Sequence, residues 1–141
     1  MRASSRPSLT DARGFTLVEL LVIVLILGIL ALIALPAFMT QRLKAQDADA
    51  QAMVRVVATA LRAHELDKET FDATRDELEE IEPAISEGSA DLDITGTDTT
   101  FSVTETSHSD TTFTLSRDAG GEITRTCSVA GRGLCRSDLS W

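Results

Sequence analysis

The chain of 141 residues contains no tyrosine, one tryptophan and five phenylalanines. Any core it forms must therefore be built from Val, Leu, Ile and Ala with a few Phe. Basic residues are also scarce, with 13 Lys and Arg against 22 Asp and Glu and a formal net charge of −9. Such a balance argues against an overall nucleic-acid-binding footprint. Only two cysteines are present, Cys127 and Cys135. An even pair outside a membrane reads as one disulfide and calls for an oxidising compartment. The histidines, His64 and His108, stand apart, with no Cys or His at metal-ligand spacing, and the many serines lack an adjacent base. No catalytic constellation, metal centre or cofactor site is therefore expected, and the chain does not read as an enzyme.

What the sequence does have is one long apolar run. Leu20 to Leu35 are 16 consecutive apolar or glycine residues, interrupted by Pro36 and extended by Ala37, Phe38 and Met39. This is about the length that crosses a ~30 Å bilayer core at ~1.5 Å per residue. A secretory signal peptide fits poorly, because the run exceeds the usual ~7–15 residues and no Ala-x-Ala cut site follows. A signal anchor fits better. Residues 1–14 carry Arg2, Arg6 and Arg13 against Asp11, a local charge of +2 that leaves −11 for the rest. No further arginine or lysine occurs before Arg42, so the positive-inside rule puts the N-terminus in the cytoplasm and the bulk outside. That orientation agrees with a disulfide. One residue is out of place: Glu19 sits at the lip of the span, where an ionisable group is costly and is by default functional.

Gly14-Phe15-Thr16-Leu17-Val18-Glu19, followed at once by the apolar run, resembles the N-terminal signature of type IV pilins and pseudopilins. The likeness combines a short basic leader, a Gly before a Phe, a Glu four residues after that Phe and an unbroken span. Gly28 and Pro36 also fall where this family commonly places them, and the likeness covers about residues 13–45. It implies a prepilin peptidase that cuts after Gly14 and N-methylates Phe15. It further implies that Glu19, with Thr16, serves assembly, Glu19 pairing with the Phe15 amine of a neighbouring subunit. The physics agrees: a lone carboxylate in a water-poor filament core is heavily penalised, and cutting the leader creates the cation that relieves it.

The helix is expected from about Thr16 to Lys68. Gly28 weakens it, and Pro36 removes a backbone hydrogen bond and crowds the preceding turn, so a kink is expected near Pro36. Beyond Pro36 the period becomes helical and one-sided. Leu43, Gln46, Ala50, Met53, Val54, Val57, Ala60 and Leu61 form an apolar stripe, with Asp47, Asp49, Arg55, Arg62 and Glu65 mostly on the other faces. Thr74-Arg75-Asp76-Glu77 is a capping box opening a short helix through Glu82, with Leu78 and Ile81 inward and Pro83 as its stop. The acidic cluster Glu77, Glu79, Glu80, Glu82 and Glu87 lacks EF-hand spacing and reads as a solvated face rather than a calcium site. A cation loop at Asp91, Asp93 and Asp98 is the weaker reading of that stretch.

From residue 86 onward the pattern is that of strands. Phe101–Glu105 and Thr112–Ser116 alternate apolar and polar, Ile123–Cys127 continues the set, and Ser107–Asp110 and Asp118–Gly121 are turns. A three- or four-stranded antiparallel meander would cover the apolar stripe of the helix with Phe101, Val103, Phe113, Leu115 and Ile123.

The expected architecture is α+β, the type IV pilin fold. It comprises a leader over 1–14, a transmembrane or filament-core helix over 15–38, an amphipathic helix over 39–68 and a head over 69–141 with a C-terminal disulfide loop. Two uses of a filament are open, a pilus for adhesion, motility or DNA uptake and a pseudopilus of a secretion or competence system. A monomeric membrane-anchored binding domain is the remaining alternative. The implied partners are further copies of the chain, the peptidase/methyltransferase, an inner-membrane assembly platform and lipid before assembly. The implied locations are the inner membrane, then the cell exterior or the periplasm. Direct DNA contact through Arg117, Arg125, Arg132 and Arg136 is disfavoured by the overall charge.

Overall fold

A computed structural model describes residues 14–87 and 91–141. The leader expected over 1–14 lies outside the described residues apart from Gly14. The first element, α1, is a helix of 52 residues from Leu17 to Lys68 with Pro36 inside it. Up to Ala37 its apolar side chains are exposed, for example Leu32 at 75% and Ile33 at 73%. It is the one helix among the described residues long and apolar enough to cross a membrane.

Phe38–Trp141 forms a compact unit. Here α1 becomes amphipathic and buries Ala50, Val54, Val57, Ala60 and Leu61. After it come α2 (Arg75–Ile81), a 3-10 turn (Pro83–Glu87) and four strands, β1 (Asp93–Gly96), β2 (Phe101–Thr106), β3 (Thr112–Arg117) and β4 (Ile123–Cys127). The strands form one antiparallel sheet in the order β1-β2-β3-β4. This is the meander that alternating Phe, Val and Thr with two tight joins encodes. The chain is therefore α+β, a long helix with a four-stranded antiparallel sheet.

Register puts Val103 opposite Leu115 and Phe113 opposite Cys127. Phe101, Val103, Phe113 and Leu115 are buried, together with Leu78, Ile85 and Phe71. The opposite face carries hydroxyls, Ser102 pairing with Ser116 and Thr104 with Thr114. The Thr104 and Thr114 hydroxyls are 3.1 Å apart. Strict alternation has one unusual consequence: Glu105, opposite Phe113, lies on the inner face and is 5% exposed.

Two expectations need correcting. Ile81 does not face inward but is 43% exposed. The helix α2 has only 7 residues, and its burial centres on Leu78. The larger correction is Asp47. Its charge suggested a solvated position, yet its exposure is 0%. The helical stripe is thus wider than its apolar residues suggest, because Asp47, Gln51 and His64 belong to it. His64 is accommodated by its Nδ1, which lies 3.0 Å from the Thr70 carbonyl and donates to it.

Candidate functional site

The N-terminal site is set by helix initiation. Thr16 precedes α1, and its Oγ1 accepts the Glu19 backbone N–H at 3.2 Å. Its carbonyl accepts from the Leu20 N–H, also at 3.2 Å. Thr16 is therefore placed as the N-cap, and Glu19 falls at the third helical position, in the first turn. A carboxylate there lies near the partial positive charge of the helix start. The pair Thr16 and Glu19 has the spacing of a capping box, a local role that sequence reading assigned only to Thr74 and Glu77. Phe15 stands outside the helix and is 73% exposed. Gly28 and Pro36 lie further along α1, with nothing within 4 Å of where a Cβ on Gly28 would be.

A second constellation lies in the head and centres on Asp47. Its Oδ1 accepts from Ser107 Oγ at 2.8 Å and from Ser109 Oγ at 2.5 Å. Its Oδ2 accepts from the Leu134 N–H at 2.9 Å. Ser107 and Ser109 are themselves buried, at 4% and 2% exposure. One carboxylate therefore ties together α1, the β2–β3 turn and the C-terminal loop. Sequence reading took Ser107–Asp110 only as a turn. The available signal was the repeated serine at alternate positions, which suits a shared acceptor.

That C-terminal loop is closed by the Cys127–Cys135 disulfide, with S–S 2.01 Å and Cα–Cα 5.8 Å. Gly133, at φ +59°, brings the loop backbone so near Asp47 that a Cβ would lie 1.8 Å from Oδ2. Beyond the loop, the Ser140 hydroxyl donates to Asp138 at 2.7 Å and its N–H at 3.1 Å, which holds the Asp138 carboxyl below the usual aspartate range. Arg117 lies over the Phe71 ring and bonds the Thr99 carbonyl, whereas Arg125 lies over Trp141. These arginines serve contacts within the head. Asp98 accepts from Thr70 Oγ1 at 3.2 Å, and Asp93 is exposed on β1. Among the described residues, no group of three or more His, Cys, Asp or Glu side chains is arranged to hold a metal ion.

Residues 9–35 match the prokaryotic N-terminal methylation motif. The chain is 38% identical over 66 residues to the type II secretion system core protein G of Pseudomonas aeruginosa, covering 47% of this chain and 46% of that protein. It is 35% identical over 65 residues to the competence protein ComGC of Halalkalibacterium halodurans, covering 46% and 64%. To the type IV major pilin protein PilA of Myxococcus xanthus it is 33% identical over 66 residues, covering 47% and 30%. The chain thus spans about half the length of the curated relatives it matches. No solved structure gives a significant match. Motif and relatives make the N-terminal half of the chain similar to pilins and pseudopilins, and the α+β architecture is consistent with that likeness.

Proposed function

We propose that this chain is a structural subunit, a prepilin cut after Gly14, N-methylated on Phe15 and polymerised into a filament. The observation that carries the reading is the pairing of a capped, carboxylate-bearing helix start with a fully exposed apolar helix. Thr16 and Glu19 stand at the first turn, and the apolar residues from Leu17 to Met39 are all uncovered. Such a surface needs lipid or other copies of the same helix around it. Lipid serves before assembly and neighbouring helices serve after it. Inside the bundle, the Phe15 amine of an adjacent copy would neutralise Glu19. That amine exists only once the leader is removed, so cleavage licenses assembly. Gly28 and Pro36 bound the weakest part of the helix, where it can bend or unwind as subunits pack.

The partners on this reading are further copies of the chain, a prepilin peptidase/methyltransferase and an inner-membrane assembly platform. The head starts outside the cytoplasm and ends on a pilus or a periplasmic pseudopilus. The disulfide loop favours the pilus. The pseudopilus reading is supported by the likeness to core protein G in two organisms and to ComGC.

Mass spectrometry of the membrane-extracted protein tests processing. The expected N-terminus is N-methyl-Phe15. An intact Met1 terminus would overturn both filament readings in favour of a monomeric anchored domain. Electron microscopy of sheared surface material, labelled through the head, separates a pilus from a pseudopilus.

A further inference from the structure

We propose that the Cys127–Cys135 disulfide and Asp47 form a redox-sensitive latch, in which closing the bond holds the C-terminal loop against α1 and opening it loosens α1 and the β2–β3 turn around Asp47. The inference concerns the folded head alone and does not rest on polymerisation.

From Val129 to Cys135 the backbone bonds mostly to itself. Gly131 N–H donates to Arg136 O, Arg132 N–H to Val129 O and Cys135 N–H to Arg132 O. Among the described residues, the hydrogen bond linking this stretch to the body of the head is Leu134 N–H to Asp47 Oδ2, at 2.9 Å. The loop's ends are held as well: Cys135 is buried at 3% exposure, and Cys127 N–H donates to Leu139 O at 2.9 Å just beyond the loop. Breaking the disulfide removes the covalent closure and enlarges the conformations open to the stretch, while the Leu139 and Trp141 contacts keep the C-terminal segment attached. Leu134 then leaves Asp47 without the donor on Oδ2.

That loss is felt on the far side of the contact because Asp47 is fully buried. A buried carboxylate missing a donor must be rehydrated, which opens the packing around it. The groups sharing it are Ser107 and Ser109, whose hydroxyls meet on Oδ1. Loosening therefore reaches residues 60 and 62 positions further along the chain from Asp47. Linkage makes the coupling reciprocal: a carboxylate at position 47 favours the closed loop, and a closed loop favours the docked carboxylate. Gly133 is part of the device, since only a residue without a side chain lets the loop approach so closely.

The redox step is thiol–disulfide exchange. Closing it converts the Cys127 and Cys135 thiols to a disulfide, while a disulfide oxidant, of a protein or a small molecule, accepts two electrons and two protons and leaves as two thiols. Opening it is the reverse, with a dithiol as reductant.

The test is hydrogen exchange with mass spectrometry on the full chain in detergent, oxidised and then reduced with dithiothreitol. In the wild type, reduction should speed exchange about tenfold or more over residues 43–51 and 107–111, while the centres of β2 and β3 keep their protection. In Asp47→Asn the oxidised protein should already exchange faster in both segments, and reduction should add less than about twofold there, the non-additivity that a shared contact requires. Two results overturn the latch. One is reduction that loosens only 127–141 and leaves 43–51 and 107–111 protected. The other is uniform loss of protection over the whole head. The wild-type comparison decides between these without any substitution that must itself fold.

Discussion

The Phe113 ring meets the Trp141 indole edge-on, with centroids 5.9 Å apart and planes at 87°. The indole Nε1–H points between two strand carbonyls, Thr126 O at 2.8 Å and Thr114 O at 3.1 Å. The Arg55 guanidinium, from α1, lies 5.2 Å from the ring centroid, and that of Arg125, from β4, lies 5.9 Å away. One side chain thus joins helix, sheet and C-terminal segment. Trp141→Ala should cost about 2–3 kcal/mol in denaturant unfolding of the full chain, because it removes both the ring burial and the carbonyl contacts. Trp141→Phe should recover most of this but not the hydrogen bonds. Equal stability of Trp141→Ala and wild type would show that the ring is a bystander.

The start of α2 predicts a pH dependence with a definite sign. Thr74 donates its N–H to Glu77 Oε2 at 2.8 Å and its hydroxyl at 2.7 Å. These two bonds hold the Glu77 carboxyl below the usual glutamate range. A carboxyl lowered in the folded state stabilises above its unfolded pKa and loses that contribution as pH falls through the folded one. Protection of the α2 amides should therefore hold through neutral pH and fall only below the ordinary glutamate range. Thr74→Ala removes the hydroxyl but keeps the N–H, so it should cost the helix about 1 kcal/mol and return the Glu77 titration, followed by carboxyl NMR, only part of the way toward its ordinary position. An unshifted titration in that variant would show that the hydroxyl contributes nothing and that the backbone N–H alone holds the carboxylate.

Gly96 on β1 tolerates no side chain. A Cβ there would lie 1.9 Å from the Phe71 carbonyl oxygen and 2.6 Å from its carbon. The same crossing brings the Phe71 N–H to Thr97 O at 2.9 Å and sets the Phe71 ring 5.0 Å from Phe101. Gly96→Ala must push backbone aside and is expected to destabilise by about 1–3 kcal/mol or more. Gly28→Ala, with open space at the corresponding point, should leave the unfolding midpoint of the head unchanged. Equal effects of the two substitutions would contradict the close approach.

On the filament reading, Glu19 should act in assembly and not in folding of the head. It lies on the exposed part of α1, whereas the head core is built from residues 50 onward. Glu19→Ala should leave the head's thermal midpoint within about 1 °C of wild type and lower sheared-filament yield at least about tenfold. Unchanged yield would remove the proposed pairing with the Phe15 amine. Thr16→Ala, which loses only the cap, should have the milder effect.

Much of the fold could be read from one-dimensional pattern. α1 runs from Leu17 to Lys68, within a residue of the expected start. The capping box at Thr74 and Glu77 and the three strands beginning at Phe101, Thr112 and Ile123 also follow local rules, because caps, alternation and turns are fixed by residues a few positions apart. Asp47 could not be read in this way. Its charge assigns it to solvent until Ser107, Ser109 and Leu134 arrive from 60, 62 and 87 residues away. Glu105 is a different case: the local alternation of β2 places it inside although its charge argues for solvent.

The sequence by itself determined the covalent pattern at the N-terminus. A Gly-Phe junction, a carboxylate four residues on and an apolar span are covalent and compositional facts that need no fold to be legible. It also determined that a one-sided helix and an alternating sheet must cover each other. Only the tertiary structure decided how the head is closed, by a buried Asp47 shared among three segments and a Trp141 ring that meets two arginines. Burial of a polar group is affordable only where distant donors converge on it, and convergence is a property of the folded chain.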